Sequence, residues 1–253
     1  MVFLTCVLAA AAVCFTSLPL VAQQSEDKAA NETSQPTDTE THRVFDVRGW
    51  SVNYHRQLFH QDETLSKGVL HLLEEQLRRV EQAIPEAAVK HLKPVKIWVN
   101  PPYDGIRPTA EYHPNQRWLQ DNDRDPAMAK CIELTNADNL SAEVVRMPYL
   151  MLHELAHAYH DQVLGFRDTR IRQAFDTAKD SNVYDEVDRF TGKKMITDRA
   201  YAITNHKEYF AESTEAFFGK NDFFPFDRDQ LKKADPVMFS LLPELWQQRP
   251  SQQ

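Results

Sequence analysis

The segment Leu150-Met151-Leu152-His153-Glu154-Leu155-Ala156-His157-Ala158-Tyr159-His160 carries two imidazoles four positions apart and a carboxylate next to the first. On a helix, residues i and i+4 share one face about 6 Å apart, so His153 and His157 can reach one metal ion while Glu154 points at a water beside it. This HExxH pattern suits hydrolysis by metal-activated water, with the glutamate as proton acceptor and Zn2+ as the expected ion. The chemistry requires a helix, and the local sequence predicts one. Leu152, Leu155, Ala156, Tyr159 and Val163 recur at helix-core spacing, and no Gly or Pro interrupts the run from Tyr149 to Leu164.

A catalytic zinc needs a third protein ligand and one open position. His160 lies roughly 10 Å along the helix axis from His153, too far to share an ion whose ligands sit about 3 to 4 Å apart. It is expected to line the cleft mouth, to bond a neighbouring carboxylate, or simply to fill structure. A third histidine six residues after His157 is missing, because Val163 stands there. The remaining source is a second helix predicted from Thr204 to Gly219, where Glu208, Glu212 and Glu215 recur at i, i+4 and i+7 on one face. Such a stripe is either solvated or gathered around a cation. Tyr209, Phe210, Ala211, Ala216, Phe217 and Phe218 make the helix too apolar to lie free, although Glu208 could instead be used in a capping box with Asn205.

His-Glu-Leu-Ala-His followed by Glu208-Tyr209-Phe210-Ala211-Glu212, with Tyr201 seven positions before Glu208, resembles the zinc peptidase domain of anthrax lethal factor and its relatives, including the bacterial Pro-Pro endopeptidases, within the gluzincin class. The resemblance covers roughly residues 149–218. It implies a zincin-like fold with His153, His157 and Glu208 as zinc ligands and Glu154 as general base. Tyr201 would support the reacting carbonyl, and Glu212 would hold a ligand imidazole from behind. An exchange of roles between Glu208 and Glu212 is the alternative within that scheme. His113 and His206 are further candidates for contact with the substrate carbonyl. The partner implied is a peptide or protein substrate. A zinc-containing binding module without catalysis would use the same cleft, but it would have no need of Glu154.

The elements that must position these residues are predicted from periodicity. Val44–Val47 and Trp50–Tyr54 alternate as strands, and so does Val95–Asn100 before Pro101-Pro102. Asp62 opens a helix whose apolar residues Leu65, Val69, Leu72, Leu73, Leu77, Val80 and Ile84 step by three and four until Pro85. Residues 103–126 read as irregular, with a short strand around Ala110–His113. Cys131–Asn136 reads as a strand that is either a sheet edge for an extended peptide or an ordinary core strand. Arg170 to Lys194 reads as charged and helix-prone, and Asp235-Pro236 starts a last amphipathic helix. The fold class expected is α+β: a small, twisted, mostly antiparallel sheet packed on helices that include the two metal-bearing ones.

With 253 residues, 42% of them hydrophobic, the chain supports one sizeable core, so a single catalytic domain over 44–250 is expected. A net charge of -8 without a long basic cluster excludes a nucleic-acid footprint. Val2 to Ala22 is an apolar opening with Pro19 near its end and small Ala22 before polar Gln23. It reads as a signal peptide over 1–22, with a retained membrane anchor as the alternative because the apolar run is nearly long enough to span a bilayer. It is the one segment expected to meet a membrane. Residues 23–43 are almost free of large apolar side chains and read as a disordered linker. Export to the cell envelope or beyond follows, with Cys131 alone remaining after cleavage, so no internal disulfide is expected.

Overall fold

The computed structural model describes residues 38–247. The expected signal peptide, and the linker up to residue 37, lie outside the described residues. The first strand, β1, covers His42–Val47 and so opens slightly ahead of the expected Val44. It pairs antiparallel with β2 (Trp50–His55) through a turn at Arg48 and Gly49, both at positive φ. Two helices follow, α1 (Arg56–Gln61) and the long α2 (Glu63–Ala83). The Asp62 carboxylate accepts a hydrogen bond from Leu65 N–H, which caps α2 as its sequence predicts. Helix α3 (Glu86–Leu92) starts after Pro85 and leads to β3 (Ile97–Val99).

Strand β4 (Ala110–His113), helix α4 (Gln116–Asp121) and strand β5 (Cys131–Leu134) come next. The five strands form one sheet in the order β1-β2-β3-β5-β4. The β2/β3 and β3/β5 pairs are parallel, while β1/β2 and β4/β5 are antiparallel. The sheet is therefore mixed rather than mostly antiparallel. The reason is that β2 reaches β3 by a long helical crossover, which returns the chain in the same direction. Alternation of apolar residues reports which face is buried and carries no information on direction. The same topology settles the two readings of Cys131–Asn136. Strand β5 is interior, and the edge that borders the cleft is β4.

Helices α5 (Leu140–Arg146) and α6 (Leu150–Tyr159) follow, and α6 runs into one π-helical segment over His160–Leu164. Helix α6 is buried on nearly every side, touching α2, α3, β4 and α8. Helix α7 (Thr169–Asp180) ends where Asn182 takes positive φ. A hairpin of β6 (Val187–Phe190) and β7 (Met195–Asp198) then replaces the helix expected to run on to Lys194. Its many charges look helix-prone, but Phe190 and Met195 flank a turn in which Gly192 has φ 85. A 3-10 turn over Tyr201–Thr204 precedes α8 (His206–Phe218), and α9 (Arg228–Ala234) and α10 (Pro236–Trp246) complete the fold.

The core joins α2 (Leu73, Leu77, Val80), the sheet (Val52, Ile97, Val99, Ile132, Leu134) and α6 (Leu152, Leu155, Ala156). On the other flank of α6, the Tyr159 ring stacks on Trp246 at 4.3 Å and Trp246 stacks on Phe210, which locks α6, α8 and α10 together. Gly219 lies against the ring of Tyr149, where a Cβ would come within 2.5 Å of ring carbons. That close approach sets how the end of α8 meets the start of α6.

Candidate metal centre

Helices α6 and α8 bring the three expected ligands together. One turn of α6 separates His153 from His157, and their Nε2 atoms lie 3.1 Å apart. Asn205 caps α8 by accepting hydrogen bonds from the N–H groups of Lys207 and Glu208. Glu208 thus starts the helix with its main-chain donor satisfied and its carboxylate free to cross to α6. Glu208 Oε2 is 3.3 Å from His153 Nε2 and 3.2 Å from His157 Nε2. It is buried and makes no hydrogen bond among the described residues. Ligands about 2.0–2.1 Å from a tetrahedral zinc lie roughly 3.3 Å from one another, so the three atoms fit that ion. A buried carboxylate oxygen aimed at two imidazole nitrogens without hydrogen-bonding either is what a cation between them would satisfy.

The surroundings favour positive charge at this point. Burial works against a charged His153, yet the carboxylates of Glu208 and Glu215 raise its pKa well above the ordinary imidazole value. Burial also opposes charge on Glu208, but the two imidazoles hold its carboxyl well below the usual carboxylate range. Glu154 is different: burial and the nearby Glu208 push its carboxyl up to about 7, against the pull of His153 and His157. Its Oε2 accepts a hydrogen bond of 2.8 Å from the main-chain N–H of Tyr112 on β4.

Behind His153, the ring Nδ1 meets Glu215 Oε1 at 2.8 Å. Glu212, which the resemblance places in that role, is 3.8 Å away and accepts instead from Asn221 Nδ2 at 2.9 Å. The structure therefore gives the supporting contact to Glu215. Both glutamates lie on the face of α8 turned to α6, so spacing alone did not separate them. Tyr201 lines the cleft from the turn ahead of α8, with its side chain about half exposed rather than buried in the core.

His113 and His206 stand elsewhere. His113, the last residue of β4, is buried, 2.9 Å from Glu133 Oε2 and stacked on Trp118. With Glu111 and Glu133 it forms a second group of potential ligands. Arg124 already bridges those two carboxylates, at 3.0 Å from Glu133 and closer still to Glu111, and so fills the place of a cation. The His206 ring bonds Phe166 O at 2.8 Å. Neither histidine lines the cleft. His160 neither lines the mouth nor meets a carboxylate. It is fully buried between Phe166, Phe210 and His206, with both ring nitrogens unpartnered among the described residues.

The cleft over the site encloses about 730 Å3. One wall is the β4 segment from Arg107 to Tyr112, and the other is formed by Arg189, Asp198, Tyr201 and Phe223. Lys130 N–H bonds His113 O and Thr135 N–H bonds Thr109 O, so β4 turns the main-chain groups of Ala110 and Tyr112 away from β5 and toward the cleft. That polarity was not readable from an isolated four-residue strand.

Residues 135–245 match the family model described as anthrax toxin lethal factor, N- and C-terminal domain. The match covers less than half of the chain and includes α6 and α8 but not β4. No curated protein and no solved structure gave a match to the chain.

Proposed function

We propose that this chain is an exported zinc-dependent peptidase of the gluzincin type. The carrying observation is the convergence of His153 Nε2, His157 Nε2 and Glu208 Oε2 at 3.1–3.3 Å from one another, beside a buried Glu154, at the floor of an open cleft. Similarity to the lethal factor family model agrees with this reading. That description spans two terminal domains, so the assignment of chemistry rests on the residues. Support for export comes from the apolar opening Val2 to Ala22, and among the described residues no helix is long and apolar enough to cross a membrane.

His153, His157 and Glu208 would hold the ion, and Glu215 would fix the His153 ring by accepting from Nδ1–H, leaving Nε2 as the ligand atom. When bound, zinc supplies Lewis acidity, polarising the peptide carbonyl and bringing the pKa of a water toward about 7. Glu154 takes the water proton on its carboxylate and returns it to the departing amine nitrogen. Tyr201 would donate its hydroxyl hydrogen bond to the carbonyl oxygen as negative charge develops there. The outward main-chain groups of Ala110 and the carbonyl of Tyr112 would pair with an extended substrate, the Tyr112 N–H being held by Glu154.

Glu154→Gln is expected to retain stoichiometric zinc and to lose hydrolysis by about 10²- to 10⁴-fold, whereas Glu208→Ala loses the metal. A mixed peptide library, incubated with and without chelator and read by mass spectrometry, checks both. Full cleavage by Glu154→Gln sinks the mechanism. Absence of chelator-sensitive cleavage by the zinc-loaded native protein would favour the binding module.

A further inference from the structure

We infer that Tyr112 is the positioning residue for Glu154, an inference that rests on the peptidase reading above. One residue of the edge strand grips the HExxH helix at two points. Its N–H donates to Glu154 Oε2 at 2.8 Å, and its hydroxyl donates to Asp161 Oδ2 at 2.7 Å beyond the helix end. Gln162 Nε2 donates to the same hydroxyl at 3.0 Å, and Lys130 Nζ bonds Asp161 Oδ2 at 2.5 Å from the loop before β5. Asp161 and Gln162 belong to the π-helical segment His160–Leu164. One residue more per turn rotates the side chains that follow relative to an α-helix, and here both reach β4.

The consequence for Glu154 is geometric. A carboxylate beside an open cleft is free to turn about its terminal torsion unless something holds it. The Tyr112 N–H occupies Oε2, while Oε1 has no hydrogen bond among the described residues and is the oxygen left to accept the proton. The N–H can hold Oε2 only if β4 stays seated on α6. The hydroxyl clasp on Asp161 and Gln162 supplies that seating at the cleft-side edge of the strand. Behind β4, the ion pairs of Arg124 with Glu111 and Glu133 fasten the strand to β5 but do not touch α6. The hydroxyl of Tyr112 thus acts on the reaction through its own main chain.

Tyr112→Phe removes the hydroxyl and keeps the N–H and the ring, and Asp161→Asn weakens the same clasp from the other side. For both, zinc content is expected to match the native protein and KM to stay within about twofold, while kcat falls of the order of tenfold to a hundredfold. Exchange of the Tyr112 amide in the purified full chain should quicken about tenfold or more, with the β5 amides unchanged. Native kcat together with native amide protection in both variants overturns the inference. So does a parallel loss of zinc and kcat, which would make the clasp a support of the fold rather than of the base. If the native protein shows no chelator-sensitive cleavage, it is the peptidase reading that fails. The amide exchange then still decides whether the hydroxyl holds the N–H on Glu154.

Discussion

At His153 the two ring nitrogens have separate duties, Nε2 toward Glu208 and His157 and Nδ1 toward Glu215. Glu215→Gln replaces the charged acceptor by a neutral amide, and zinc affinity should drop by about 10- to 100-fold in competition with a chelating dye. Glu212→Gln should change it far less, and the reverse order would return the role to Glu212. A second residue-scale prediction concerns His160, whose buried ring is pulled down to about 3 by desolvation, helped by His206 and His157. Its pKa is about 6.5 in an unfolded chain, so below that value the unfolded state takes up a proton that the folded state refuses. The native contribution is complete above pH 6.5 and is lost as pH falls toward about 3. Between pH 7.5 and 5 the native protein should therefore lose about 2 kcal/mol more stability than His160→Phe in urea melts. Equal losses would show that His160 titrates freely. Of the site, the ligand types and their spacing were legible, because i and i+4 positions on a helix fix which residues meet. The choice between Glu212 and Glu215 was not, because it depends on how α8 crosses α6. His113 and His206 misled for a related reason: an imidazole in the sequence says nothing about which side of its strand or helix faces the cleft.

At the scale of elements, the distance between α6 and α8 decides whether the ligands meet. Gly219 lies directly on the ring of Tyr149, and Gly219→Ala must displace that ring or the start of α6. Overpacking of this kind destabilises by about 1–3 kcal/mol, which lowers Tm by roughly 2–12 °C in a chain of this size. Differential scanning calorimetry checks it, and Tyr149→Ala in the same chain should recover part of the loss by opening the space. An unchanged Tm for Gly219→Ala would show that the contact is soft. Helices α2, α6, α8 and α10 were readable because long apolar periods and their caps, Asp62, Asn205 and Asp235, are local signals. The hairpin β6–β7 was not, since four-residue strands rich in charge lack a period long enough to outweigh a helix-prone composition. Strand direction and edge position belong to topology, which is why Cys131–Asn136 stayed open between edge and core and Ala110–His113 had no assigned place in the sheet.

For the whole molecule, the α+β layering serves to bring a helix from the middle of the chain and a helix from its last quarter into contact over one point, with the edge strand beside them. Every functional statement above depends on a divalent ion at that point. The most direct measurement is the metal content and coordination of the purified chain, by elemental analysis together with X-ray absorption at the zinc edge. The predicted result is one zinc per chain with two imidazole nitrogens and carboxylate oxygen at about 2.0–2.2 Å, lost in His153→Ala, His157→Ala and Glu208→Ala alike. A native protein that binds no zinc after exposure to a slight excess, or one whose zinc survives Glu208→Ala with unchanged coordination, would contradict it.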